Sequence, residues 1–435
     1  MGRKRQIAKT EHRRGGRGGR MIWAVALGIL AFLVYANTLG HGFVIDDAPL
    51  ISQNSAVRGL EWSYILSPHG YRPVRTFTYA LNYALGGDDP FGYHLLNVLL
   101  HSANVILLFL LVFRWTALSA IAGTAALLFA VHPVQTAAVA YVSGRKDILT
   151  TLFVLLACHT YTSYRRATRP VFAVLTGVLF GLAVMAKEVA IVLPALLALA
   201  DVFILERRSE DGEKRESILV RLIRALKRAP VFYGVCLGLL AFAAYYAMFV
   251  MKASRMTGFW GGTPWTHYGT SFKLLLHYAK LAVIPYPLIA DYLGDVFPLS
   301  KGLLEPATIG SVVFLAGYLF LAVKMDRRNP LFTFGMLWFL VALLPVLQIF
   351  PFHELAADHF LYLPLVGIAV LFGSAVHLLA RRWDMKIVGA GVAAIAVFFI
   401  FMTIDRNRDW KDEFTLWSET YRVAPGSYRA NHNLG

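Results

Sequence analysis

Cysteine, charge and metal-ligand spacing are what this 435-residue chain has least of. Its two cysteines, Cys158 and Cys236, both fall inside apolar runs. Two are too few for a disulfide framework, and no spacing joins them into a metal site. Only 16% of residues are charged, against about 25% in an ordinary soluble domain. The segment His353-Glu354-Leu355-Ala356-Ala357-Asp358-His359 superficially suggests a zinc protease. Its histidines stand six positions apart, so they cannot share a helix face, and that class is excluded. No small-x-small cleavage site closes the first apolar run, 21–37, which therefore reads as a retained span rather than a removed signal peptide.

Apolar residues are abundant: 57% of the chain, with a mean hydropathy of +0.56. Runs approaching membrane-span length recur throughout. They fall at 21–37, 93–113, 118–131, 148–164, 171–185, 189–204, 231–251, 272–289, 309–323, 331–350, 361–380 and 387–404. The net charge of +16 gathers between them, in 3–20, 165–169, 207–228, 324–328 and 381–386. Short basic segments of this kind mark cytoplasmic loops and attract anionic lipid, so the charge does not argue for nucleic acid. With the N-terminus inside, all five segments become cytoplasmic if 272–289 does not cross. That run carries Lys273, His277, Lys280, Pro285 and Pro287, which suit an interfacial or re-entrant helix. The fold class expected is an all-α polytopic membrane protein of about eleven transmembrane helices, with the C-terminus on the outer face. The stretch 218–226 in the longest inner loop is expected to lie as an amphipathic helix on the cytoplasmic surface.

Under this topology the unusual polar residues collect outside. Asp46 and Asp47 follow the first span, where charge is costly to desolvate and needs a reason. Adjacent residues diverge by about 100° on a helix and point opposite ways on a strand. One acid can therefore act as a base while the other orients it or caps a helix; otherwise the pair is simply solvated. Arg72 and Arg75 flank Pro73 at a spacing that shares a helix face, and guanidinium suits bidentate phosphate contact. His94, Asn97, His101 and Asn104 form a polar stripe in an apolar run, which must face the bundle interior. Ser143-Gly144-Arg145-Lys146-Asp147 opens a span from outside, and Lys187-Glu188 joins two spans there. The Trp-rich stretch 258–265 suits headgroup anchoring or stacking on a sugar.

The order of these motifs resembles the transmembrane and tetratricopeptide-repeat O-mannosyltransferase family and its bacterial relatives. The resemblance rests on Tyr71-Arg72-Pro73, Phe77-x-Tyr79-Ala80-Leu81-Asn82, Tyr93-His94-x-x-Asn97, His101, His132-Pro133-Val134, Ser143 to Asp147 and Lys187-Glu188. It runs from about Asn37 to the end. It implies a GT-C membrane glycosyltransferase that takes its sugar from a polyprenyl phosphate, with the catalytic base in an acidic motif of the first outer loop, where Asp46-Asp47 stands. One departure is that the family's Ala-Glu-Arg-Tyr-Leu-Tyr-Leu-Pro becomes Ala357-Asp358-His359-Phe360-Leu361-Tyr362-Leu363-Pro364, replacing a permanent cation by histidine. The last residues, from Trp410 to Gly435, are similar to the opening of a tetratricopeptide repeat. Since such arrays need about three repeats, the chain reads as cut where an array begins. The expected domains are a basic cytoplasmic tail (1–20), the glycosyltransferase domain (21–404) and the start of an outer-face repeat region (405–435).

The mechanism expected from these residues is attack of an acceptor hydroxyl on a lipid-phosphate hexose with inversion. Asp46 serves as base and Asp47 orients it. Arg72, Arg75, Arg145, Lys187 and His359 are candidates for the donor phosphate. Glu188, Asp358, His94, Asn97 and Tyr362 are candidates for orienting groups or substrate. No cofactor is expected beyond the lipid-linked donor, and no metal cage is legible. The partners expected are membrane lipid, the polyprenyl-phosphate sugar and a protein or glycan acceptor, and the location a bacterial inner membrane. A non-catalytic scaffold presenting repeats is the competing class. A transporter would place charges at the midplane and show inverted repeats, neither of which the sequence has.

Overall fold

The computed structural model describes residues 17–67, 72–206, 216–245 and 258–435. The basic stretch 1–16, Tyr71, part of the inner loop (207–215) and the segment 246–257 lie outside the described residues. Helices dominate, and no strand is assigned among the described residues beyond an isolated bridge between Gly294 and Ser427.

The helices in chain order are α1 (Arg17–Tyr35), α2 (Pro73–Gly86), α3 (Pro90–Thr116), α4 (Ser119–Val131), α5 (Arg145–Ala167), α6 (Pro170–Ala186), α7 (Leu193–Ala200) and α8 (Ile218–Arg228). They continue as α9 (Pro230–Tyr245), α10 (Pro264–Leu281), α11 (Pro306–Asp326), α12 (Pro330–Leu343), α13 (Leu365–Ala380), α14 (Met385–Arg408), α15 (Glu413–Val423) and α16 (Tyr428–Leu434). Proline opens many of them, where its missing N–H costs nothing and its fixed φ is already helical. Side chains complete several N-termini: Asp89 accepts from Phe91 N at 3.0 Å, Asp412 from Thr415 N at 2.8 Å, and Thr263 forms a capping box with Thr266.

Each of the eleven expected spans meets one of these helices. Among the described residues, five helical stretches are long and apolar enough to cross a membrane on their own: Gly18–Gly40, Pro90–Thr116, Glu188–Leu205, Pro306–Asp326 and Met385–Arg408. A sixth is the pair Ser119–Val131 and Pro133–Val139, bent by 52°. The apolar helices Pro170–Ala186, Pro330–Val346 and Leu365–Ala380 are shorter. The run 272–289 is not one helix, because α10 stops at Leu281.

The polar stripe explains why α3 is central. His94, Asn97, His101 and Asn104 are all fully buried, and α3 packs against α1, α4 and α5. Outward faces are apolar instead: Ile387, Phe398 and Phe401 on α14 and Val313, Phe320 and Val323 on α11 are exposed, as lipid contact requires. Where α12 crosses α13, Gly335 and Gly367 touch backbone to backbone. A Cβ on either would stand 2.6 Å from the other's carbonyl oxygen, so the crossing depends on small residues. The expected amphipathic helix is α8, with Arg221 turned inward onto Asp326 at 2.6 Å and Leu219, Val220 and Ile223 outward.

Candidate functional site

Charge gathers at both ends of α5. At its far end Arg165 lies 2.9 Å from Asp201 and 3.2 Å from Glu206, a network that locks α5 to the segment following α7. Its near end, roughly 30 Å away at 1.5 Å per residue, opens onto a cavity of about 280 Å³. The loop after α1 supplies Asp46, Pro49, Leu50, Asn54 and Tyr64, the start of α2 supplies Arg72, Arg75 and Thr76, α5 supplies Lys146, and the loop between α12 and α13 supplies Phe352, His353 and Glu354.

The two neighbouring acids separate here. Ile45 holds a left-handed φ of 54°, a costly conformation for a β-branched residue, and it turns the chain so that Asp46 is exposed on the cavity wall. Asp47 is fully buried. Its Oδ1 accepts from Ser143 N at 2.8 Å and its Oδ2 from Val44 N at 3.2 Å, so it ties the first outer loop to the start of α5. Burial raises its carboxyl to about 7 against the opposing pull of the Ser143 and Val44 bonds, and Asp46 adds to the rise.

The cations separate as well. Arg72, also left-handed at φ 67°, donates to Glu188 through Nη2 at 2.7 Å and Nε at 3.1 Å. The Arg72 side chain is largely buried while that of Glu188 remains half-exposed, so the carboxylate is the side of the pair that water reaches. Lys187 binds Asp147 at 2.7 Å with both side chains buried and lies over the Phe360 ring at 4.7 Å. Removing one partner of such a buried pair costs about 3–5 kcal/mol, so Lys187 is committed to the fold. Arg145 is fully buried. It donates to Asn97 Oδ1 at 2.8 Å, Asn82 Oδ1 at 2.7 Å and the Tyr93 carbonyl at 2.9 Å, and lies 4.9 Å from the Tyr79 ring centroid. The structure turns Arg145 away from the cavity and places its neighbour Lys146 there.

Other sequence candidates are held by contacts inside the bundle. Asn97 donates to the carbonyls of Tyr141 and Val142. His94 meets the Gly42 carbonyl at 3.4 Å. The Tyr362 hydroxyl lies 2.8 Å from His101 Nδ1 and 3.2 Å from Asn104 Nδ2. Asp358 accepts from Ile289 N at 3.0 Å and the Tyr292 hydroxyl at 2.6 Å, and burial lifts its carboxyl to about 6. His359 does not line the cavity. It is buried, its Nε2 stands 3.9 Å from Asp147 Oδ2, and burial together with Lys146, Lys187 and Arg72 holds it well below the usual histidine range. The charged form is thus disfavoured at the position where the resemblance expects an arginine.

Sequence reasoning missed Lys146 and Glu354 as cavity residues. The first was hidden beside Arg145 and the second inside the rejected zinc motif. The loop carrying Glu354 is shaped by Gln348, whose amide donates to the Glu354 carbonyl at 2.7 Å and accepts from Phe352 N at 2.9 Å. Trp260, from the Trp-rich stretch, pins the same loop by donating to the Phe352 carbonyl at 3.0 Å. Among the described residues, no three His, Cys, Asp or Glu side chains gather closely enough to hold a metal ion.

Comparison with known proteins carries the motif resemblance further. A family described as dolichyl-phosphate-mannose-protein mannosyltransferase matches residues 68–233, a span that contains Arg72, Arg75, Lys146 and Glu188. The chain is similar to the protein O-mannosyl-transferase F38B6.6 of Caenorhabditis elegans, 28% identical over 93% of this chain and 58% of that protein. It is similar to TMTC3 of Mus musculus, 26% identical over 92% and 47% respectively. It also resembles Tmtc1 of Drosophila melanogaster, 39% identical over 40% of this chain and 22% of that one. The chain thus spans about half the length of the first two of these relatives. Among solved structures, ArnT from Cupriavidus metallidurans bound to undecaprenyl phosphate aligns at 16% identity and a TM-score of 0.47, covering 86% of this chain and 63% of that one. The oligosaccharyltransferase AglB from Archaeoglobus fulgidus, in complex with an inhibitory peptide and a dolichol-phosphate, aligns at 13% and 0.47, covering 95% and 59%.

Proposed function

We propose that this chain is the membrane domain of a glycosyltransferase that moves a mannose-like hexose from a polyprenyl phosphate to an acceptor hydroxyl, a protein Ser or Thr, on the outer face. The observation that carries this reading is the composition of one cavity, which brings an exposed carboxylate, Asp46, together with Arg72, Arg75 and Lys146, and with Glu354 as a second acid. The similarity to named O-mannosyl-transferases supports the same chemistry. The N-terminus is cytoplasmic and the cavity opens outward, as the placement of basic loops requires, and a bacterial inner membrane suits the short loops.

In this reading Asp46 accepts the proton of the acceptor hydroxyl. The hydroxyl oxygen bonds to the anomeric carbon from the face opposite the phosphate, and the bond between that carbon and the phosphate oxygen breaks. The lipid phosphate leaves with the electron pair, and Arg72, Arg75 and Lys146 stabilise the charge it gathers. Arg72 takes the phosphate by exchanging the half-exposed Glu188 carboxylate for a more highly charged bidentate partner. Asp47, Arg145, Lys187 and Asp358 shape the site without touching substrate.

The test is transfer of radiolabelled mannose from polyprenyl-phosphate mannose to a Ser/Thr peptide by the purified membrane protein, beside Asp46→Asn. Transfer by the wild type alone supports the reading. Equal transfer by both removes Asp46 from the base role, and no transfer by a folded wild type with peptide or glycan acceptors favours the scaffold class.

A further inference from the structure

We propose that Glu413 and Trp410, in the segment leading into the C-terminal helix pair, are positioning residues for Asp46. This inference rests on the reading of Asp46 as the base.

The Asp46 side chain makes no capping hydrogen bond to its own short helix, so its place is set by the backbone around it. That backbone is strained at Ile45, and a β-branched residue in the left-handed region persists only when its surroundings over-determine it. Two contacts do so. The Ile45 N–H donates to Glu413 Oε1 at 2.5 Å, and the Asp46 N–H donates to the Tyr141 hydroxyl at 3.3 Å. Tyr141 is in turn stacked on Trp410, with ring centroids 5.4 Å apart and planes 27° from parallel. Trp410 is 2% exposed. The Ile45 amide therefore ends directly on Glu413, 368 positions away in sequence, and the Asp46 amide ends on Tyr141, whose ring rests on Trp410 of the same stretch.

That stretch is itself fixed. Glu413 Oε2 accepts from Trp417 Nε1 at 2.5 Å, and the Gly42 N–H donates to the Lys411 carbonyl at 2.9 Å. Asn407, at the end of α14, donates to the Val34 carbonyl at 3.1 Å and Asn37 Oδ1 at 2.8 Å. Further on, Ser427 donates to Asp291 at 2.8 Å and Tyr428 N to the Leu293 carbonyl at 3.3 Å. The segment near Asp291 is the one that Asp358 holds through Ile289 and Tyr292. The C-terminal helix pair is thus fastened to the loop that carries the proposed base and to the segment tied to the last outer loop. A displacement of that pair is transmitted to the placement of Asp46.

The experiment uses the full protein with Glu413→Ala, Glu413→Gln, Glu413→Asp, Trp410→Ala and Trp410→Phe. It reads amide hydrogen exchange over residues 43–48 together with kcat and donor KM for mannose transfer to a Ser/Thr peptide. Glu413→Gln keeps an acceptor oxygen for Ile45, and Trp410→Phe keeps a stacking face. Glu413→Asp keeps the charge but withdraws it by one methylene. The alanine variants and Glu413→Asp are expected to speed exchange at Ile45 and Asp46 and to lower kcat about tenfold or more, as displacement of a reacting group does, with donor KM unchanged. Trp410→Phe is expected to restore both readouts, and Glu413→Gln to restore them only in part, because its NH₂ then faces the Nε1–H of Trp417. Unchanged exchange, or faster exchange with wild-type kcat, overturns the inference while leaving the base assignment intact. Equal transfer by wild type and Asp46→Asn instead overturns the base assignment, and this inference with it. Should Glu413→Ala fail to fold, Glu413→Asp decides on the same two readouts.

Discussion

Asp46 and Asp47 are adjacent in the chain and opposite in surroundings: the first lines the cavity, and the second is fully buried on the N–H groups of Ser143 and Val44. The division follows from the left-handed turn at Ile45. It assigns different consequences to the same substitution at the two positions.

Asp46→Asn is expected to lower transfer by about 10²–10⁴-fold, the usual worth of a general base, with thermal stability unchanged within about 0.5 kcal/mol. Asp47→Asn is expected to destabilise the fold by about 1–3 kcal/mol, because its amide NH₂ then faces a backbone N–H. Paired activity and thermal-unfolding measurements on the two variants check this. A stable Asp47→Asn protein would show that the Ser143 and Val44 bonds matter little.

The carboxyl of Asp47 also makes stability depend on pH. Its folded value, about 7, lies above the ordinary value of 3.8, so the folded state holds a proton that the unfolded state has lost. Its contribution to stability is therefore complete below about pH 4 and is lost as pH rises towards 7, by up to about 1.4 kcal/mol per pH unit. Unfolding scans between pH 4 and 8 should show the gap between wild type and Asp47→Asn changing over that interval and levelling off above it. A gap independent of pH would mean that Asp47 is ionised throughout.

Arg72 and Lys are not interchangeable at a bidentate site. Arg72→Lys is expected to raise the donor KM about tenfold, equivalent to about 1.4 kcal/mol, with a smaller change in kcat. Binding of polyprenyl phosphate without sugar offers a second readout and should weaken in parallel. Unaltered affinity would move the phosphate to Arg75 and Lys146.

Arg145 is expected to behave as a fold residue. Arg145→Met leaves Asn97, Asn82 and the Tyr93 carbonyl without their donor and should cost about 3 kcal/mol or more, seen as lost expression or early melting. A normally melting variant with a raised donor KM would return Arg145 to the donor site.

Backbone contact at the α12–α13 crossing gives a prediction far from the cavity. Gly367→Ala places a methyl 2.6 Å from the Gly335 carbonyl and is expected to cost about 1–3 kcal/mol by overpacking. Thermal unfolding of the variant, compared with alanine at the open Gly389, measures it.

Much of the architecture was legible because lipid imposes it. A segment crossing hydrocarbon must satisfy its backbone internally and turn apolar side chains outward, so the expected spans each meet a helix. The stripe on α3 was legible for the same reason, since His94, Asn97, His101 and Asn104 cannot face lipid. The break in the 272–289 run was legible through its prolines, and α10 ends within it at Leu281. The donor candidates were less legible. Arg145 and Lys146 are neighbours on α5, about 100° apart, and composition does not say which of them turns into the bundle. Lys187 and Glu188 likewise look like one surface pair in sequence, yet each binds a different distant residue, Asp147 and Arg72.

The sequence by itself determined the membrane class, the helical elements, the buried polar stripe and the acid pair after the first span, because desolvation cost and periodicity act locally along the chain. Tertiary structure alone decided which acid is open, which cation is spent on the fold and which distant residues hold the strained turn at Ile45. Those outcomes depend on where separate helices meet. The contacts of Asp47 with Ser143, Arg145 with Asn97 and Ile45 with Glu413 join segments 48 to 368 positions apart, a distance over which no local pattern carries information.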